Sequence, residues 1–142
     1  MIYSLMTKKA LKICFNAHCK QIDKAGLPYV FHPFHLAEQM DDEDSVCVAL
    51  LHDVIEDTDV TFEDLIKEGF NDRVITALRL LTHNDEKEYM DYINQIKGNP
   101  IATKVKLADL KHNSDLSRLD LTVDKIPDKY NLYLKAIQVL ES

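Results

Sequence analysis

The chain has 142 residues, enough for one ordinary domain with a single core and too few for a second catalytic module. Its 24 acidic residues against 17 basic ones leave a formal charge of −7, which opposes non-specific attraction to nucleic acid or to an anionic membrane surface. A polyanionic ligand would need local lysines or a metal ion.

Cys14, Cys19 and Cys47 form no CxxC pair, which suits a reducing compartment. The first residues, MIYSLMTKKALKIC, lack the apolar region of a secretion signal, and no stretch reaches the roughly 18 apolar residues of a membrane span. The expectation is a soluble cytoplasmic protein, one domain over residues 1–142, with no nucleic-acid or membrane partner and with room for a homo-oligomer.

With three glycines, four prolines and no strand-like alternation, the chain reads as all-α, a bundle of about seven or eight helices. A first helix is predicted from about Ser4 to Cys19, with Leu5, Ala10, Ile13, Cys14 and Ala17 inward. The loop DKAGLPYVFHP follows, and Pro33 then suits the first turn of a short helix ending near Met40. Asp44 or Ser45 can cap the next helix, which carries the apolar run VCVALLHDVIEDT. Thr61 and Asp64 resemble a capping box, with Gly69 closing that helix. Asn71 can cap a helix burying Val74, Ile75, Leu78 and Leu81. Another carries Tyr89, Ile93 and Ile96 up to Gly98, and Asn99-Pro100 opens PIATKVKLADLKHN, with Ile101, Val105 and Ala108 on one stripe. A last helix from about Pro127 would use Tyr130, Leu134 and Ile137.

The apolar run carries the chemistry. His52, Asp53, Glu56 and Asp57 are four ionisable groups in six residues of what reads as a buried helix, where helical spacing sets Glu56 beside His52 and Asp53. Buried charge of this density calls for a compensating cation, and a divalent metal that takes His52 and Asp53 would leave Glu56 and Asp57 to handle protons. His32 and Asp109 also sit in apolar contexts. Two imidazoles and two carboxylates suit Mn²⁺, Fe²⁺ or Zn²⁺ better than Ca²⁺ or Mg²⁺. His18, His35, His83 and His112 read as structural, and Tyr89 and Tyr92 as packing residues.

The order H…HD…D resembles the HD-domain metal-dependent phosphohydrolases. The segments AHCKQIDKAGLPYVFHP, VALLHDVIEDT and VKLADLKHNSDL are similar to the hydrolase domain of the RelA/SpoT homologues, small alarmone hydrolases included, over about Ala10 to Arg118. The resemblance implies an all-helical fold and Mn²⁺-dependent removal of the 3′-pyrophosphate from guanosine 3′,5′-bis(diphosphate)-type alarmones by metal-activated water. It implies His32, His52, Asp53 and Asp109 as metal ligands, and Glu56 and Asp57 as the acidic pair that orients or deprotonates water. Asn113 would contact the nucleotide sugar and Lys24 would lie near the nucleotide. Lys104, Lys106 and Arg118 are further candidates to neutralise phosphate.

One position departs from the pattern. Asp23 stands where the bifunctional enzymes have an arginine expected to contact the guanine base, and an aspartate cannot repeat that stacking. A phosphohydrolase for another nucleotide, such as an NADPH phosphatase, and a non-catalytic nucleotide-binding module are therefore alternatives. No synthetase module follows the hydrolase-like segments, so hydrolysis alone is expected.

Overall fold

In the computed structural model, which describes residues 1–142, five helices start where a short polar side chain takes up a free backbone N–H. Ser4 caps α1 (Leu5–His18) and Thr61 caps α5 (Phe62–Lys67), each in a capping box whose returning partners are Thr7 and Asp64. Asn71 caps α6 (Asp72–Leu81), and Asn99 caps α8 (Pro100–Asn113), where Pro100 occupies a position that needs no donor. Gly69, at φ +97°, ends the α5 segment in a conformation that any Cβ would strain. The remaining long elements are α2 (Phe31–Glu38), α7 (Tyr89–Ile96) and α9 (Tyr130–Glu141).

The fifth capped helix, α3 (Glu43–Leu51), is the centre of the molecule. Ser45 through Leu51 are all buried, and α1, α2, α6 and α8 pack around it. A helix with neighbours on all sides has no wet face, which accounts for its near-continuous apolar run. Its cap is Asp42, which accepts from the Ser45 N–H at 2.7 Å, and not Asp44 or Ser45 as expected. Asp44 is committed elsewhere, accepting from Asn71 at 2.9 Å and Arg73 at 2.7 Å and so tying α3 to α6.

The run VCVALLHDVIEDT is not one helix. It breaks at His52-Asp53 and resumes as the single turn α4 (Val54–Asp57). His52 Nδ1 donates to the Ala49 carbonyl at 2.7 Å, the acceptor that an unbroken helix would offer to the Asp53 N–H. Counting α4 separately gives nine helices, joined by a 3₁₀ turn at Leu116–Arg118; there is no sheet.

Two inward assignments change. Leu5 is 75% exposed because the first turn of α1 projects past the core, and Ala10 and Cys14 carry the contact. On α9, Leu134 faces out, and the buried stripe is Ala136 and Leu140, with Tyr133 and Ile137 packed beside it; α9 meets α7 and α8 together, which turns the contact face. No helix is long and apolar enough to cross a membrane.

Candidate metal centre and the cavities beside it

Three elements deliver the candidate ligands. His32 comes from the first turn of α2, His52 and Asp53 from the break after α3, and Asp109 from the C-terminal half of α8. Both α2 and α8 pack on α3, so the core that buries α3 also draws the four side chains together. One donor atom from each lies within 4.8 Å of the others, and no other such cluster of His, Cys, Asp or Glu occurs in the chain.

The hydrogen bonds prepare the donors for an ion. The Ala49 carbonyl can only accept, so the His52 proton sits on Nδ1 and a neutral ring keeps its Nε2 lone pair facing Asp53 and Asp109. That Nε2 is buried without a well-directed hydrogen bond, although it lies 3.0 Å from Asp53 Oδ2 and 3.4 Å from Asp109 Oδ1. An orphaned nitrogen between two carboxylates fits a divalent cation. His32 Nε2 lies 2.8 Å from Asp109 Oδ1, and its Nδ1 lies 2.6 Å from His112 Nδ1. Burial, then the neighbouring His32, pushes the His112 pKa down to about 4, so His112 is neutral and can accept the His32 Nδ1 proton.

Charge is concentrated here. Burial opposes a charged His52 ring, yet Asp53 and Asp109 outweigh it and raise its pKa. Burial likewise opposes ionised Asp109, but Lys106, His32 and His52 hold the carboxyl well below the usual range. Lys106 Nζ donates to Asp109 Oδ2 at 2.9 Å from a half-buried position near the Tyr92 ring. Glu56 and Asp57 go the other way: burial first, with Asp53 adding to it, raises both. A carboxylate so raised is a better base.

Two cavities lie beside the cluster and share Asn113 and Tyr133 on their walls. The smaller, about 190 Å³, contains His52, Asp53, Glu56, Lys106 and Asp109, with the unpartnered Tyr89 hydroxyl also on its wall. The larger, about 310 Å³, is lined by Asp23, Lys24, Tyr29 and Arg118 among others. Glu56 thus lies in the cavity of the metal cluster, whereas Asp57 lines neither of the two. Asn113 donates to Asp109 at 3.1 Å, and Lys24 is exposed at the larger cavity. Lys104 lies away from both, paired with Asp41.

Several contributors escaped the sequence reading. The Tyr29 hydroxyl donates to Asp53, and the His83 backbone N–H donates to Glu56. Tyr29 precedes His32 by three residues, a spacing that could have suggested a shared site; nothing local marks His83. His18, expected as structural, is fully buried, with Nδ1 2.7 Å from Gln21.

No family model matches the chain. The guanosine-3′,5′-bis(diphosphate) 3′-pyrophosphohydrolase of Aquifex aeolicus is 33% identical over 118 residues, covering 75% of this chain and 17% of that protein. The bifunctional (p)ppGpp synthase/hydrolase SpoT of Escherichia coli is 32% identical over 121 residues, with the same two coverages. The chain thus spans about a sixth of the length of these relatives. Among solved structures, a metazoan ortholog of SpoT that hydrolyzes ppGpp and plays a role in starvation responses matches with a TM-score of 0.73 and 26% identity, over 99% of this chain and 87% of that one.

Proposed function

The chain belongs to the HD-type hydrolases of the RelA/SpoT homologues, and on that premise we propose that it hydrolyses guanosine 3′,5′-bis(diphosphate)-type alarmones, removing the 3′-pyrophosphate. The observation that carries this reading is the convergence of four candidate ligands, His32, His52, Asp53 and Asp109, three of which (His52, Asp53 and Asp109) line a cavity that shares Asn113 and Tyr133 with a second, larger one. The mixed nitrogen and oxygen donor set suits Mn²⁺, with other divalent transition ions as substitutes. Such an ion, when bound, supplies Lewis acidity, drawing charge from phosphoryl oxygens and acidifying water.

The chain's own groups do the rest. Asn113, fixed by Asp109, stands between the cavities and positions the ribose, with the 3′-phosphates in the smaller cavity near Lys106, Lys129 and the Tyr89 hydroxyl. Glu56, oriented by the His83 N–H and raised by burial, accepts the proton of the attacking water. The water oxygen bonds to the 3′-phosphorus, the bond from phosphorus to the ribose 3′-oxygen breaks, and the proton held by Glu56 goes to that oxygen. Asp57, outside the cavity, tunes Glu56 and Asp53 electrostatically. The three free cysteines accord with work in a reducing cytoplasm.

A second reading keeps this machinery for another nucleotide, such as NADPH, because the resemblance that supports the guanosine reading does not extend to Asp23. Purified protein with Mn²⁺ and a panel of guanosine polyphosphates, NADPH and ordinary nucleotides tests both. Pyrophosphate from the guanosine polyphosphates alone supports the first, phosphate from another nucleotide supports the second, and binding without product rejects both. Glu56→Gln abolishes turnover while the protein keeps its ion; undiminished turnover rejects Glu56 as the base.

A further inference from the structure

The wall of the larger cavity contains one arginine whose charge is already used. Arg118 Nη2 donates to Asp23 Oδ2 at 3.0 Å, and Nη1 donates to the His112 carbonyl at 2.8 Å. Two in-plane bonds fix the guanidinium plane. Asp23 is itself immobilised, because its Oδ1 accepts from the Ala25 and Leu27 N–H groups at 2.9 Å each, in a turn where Gly26 takes φ +79°. The backbone of this loop, acting through one carboxylate, thereby holds a planar cation at the cavity wall. The side chains of the pair are only 21% and 11% exposed.

The charge around the two cavities separates their uses. In the larger one Lys24 and Arg118 are balanced by Asp23 and Asp115, so the wall has no excess cation to offer a phosphate. In the smaller one Lys106 and Lys129 join the carboxylate cluster suited to a divalent ion, which makes it the place for phosphate. An uncharged planar group fits the balanced cavity, and a fixed guanidinium plane presents a surface on which such a group stacks.

We propose that Arg118, oriented by Asp23, is the stacking platform for the purine base of the nucleotide, which makes the pair a specificity-determining element of the site; this rests on the nucleotide reading above. A guanidinium face reads any purine, so the contact selects nucleotides over simple phosphate esters and does not select guanine over adenine.

The test is calorimetric binding to the full chain loaded with Mn²⁺, carrying Glu56→Gln to stop turnover. The probes are guanosine 3′,5′-bis(diphosphate) and inorganic pyrophosphate, which has no base. Arg118→Ala and Arg118→Lys each raise the nucleotide Kd about 10-fold, while the pyrophosphate Kd moves by less than about 2-fold. Asp23→Asn keeps an acceptor for the loop but loses the ion pair, and raises the nucleotide Kd by about 3-fold. The reversed pair, Asp23→Arg with Arg118→Asp, regains part of the affinity lost in Arg118→Ala.

An unchanged nucleotide Kd in Arg118→Lys and Arg118→Ala overturns the proposal. So does an equal loss for pyrophosphate, which would make Arg118 a phosphate anchor, or a parent protein that does not bind the nucleotide. Tight, Arg118-dependent binding to a chain that, with Glu56 present, releases no pyrophosphate would instead sink the hydrolase reading and leave the stacking role standing.

Discussion

Replacing Lys106 with Met removes the one lysine bonded to buried Asp109 while keeping a side chain of similar length. The ion pair is 14% and 6% exposed, so solvent screens it little. Breaking a buried pair from one side costs about 3–5 kcal/mol, since the remaining charge is left without compensation. Two effects hold the cost near the lower end, about 3 kcal/mol: the His52 ring, whose pKa Asp53 and Asp109 raise, still faces Asp109, and the carboxyl can protonate. With a urea slope of about 2 kcal/mol/M, the unfolding midpoint of the metal-free variant falls by about 1.5 M. A divalent ion among His32, His52, Asp53 and Asp109 supplies the missing positive charge, so saturating Mn²⁺ narrows the deficit to about 1 kcal/mol or less. Urea unfolding followed by circular dichroism, with and without Mn²⁺, reads both values. A metal-free variant as stable as the parent, or a deficit indifferent to the ion, refutes the reasoning.

Two further outcomes follow from groups outside the site. A thiol reagent at pH 8 labels exposed Cys19 rapidly and leaves Cys14 and Cys47 untouched until unfolding, because burial pushes both buried thiols up to about 12; rapid labelling of all three contradicts this. Burial would raise the Asp44 carboxyl, but its bonds to Arg73 and Asn71 outweigh that and lower it, so its stabilising effect is full at neutral pH and lost as pH falls through the depressed folded value. Asp44→Asn is accordingly less stable at pH 7, by under about 1 kcal/mol, and its deficit narrows as pH falls below about 4; a deficit of equal size at pH 3 contradicts it.

The helical class and the caps at Thr61, Asn71 and Asn99 were legible because capping is local chemistry, decided within four residues. His32, His52, Asp53 and Asp109 could be named as candidates because each is a polar group in an apolar stretch. Their meeting is a property of how α2 and α8 pack on α3, which no local pattern encodes. The break after Leu51 was missed because it depends on a side chain, His52, competing for its own helix's carbonyl while the hydrophobic pattern runs on unbroken. Arg118 looked like a phosphate ligand until its long-range bond to Asp23, 95 positions away, was seen to occupy it.

Because Ser45 through Leu51 are enclosed by four neighbouring helices, the end of α3 cannot fray without opening the core. Amide hydrogen exchange at Leu50 and Leu51 should therefore be as slow as global unfolding allows. His52 and Asp53 inherit that rigidity, so little conformational freedom is left to lose when a cation is captured. Exchange of the ion with a chelator has to proceed through the solvent-facing cavity and not by local melting.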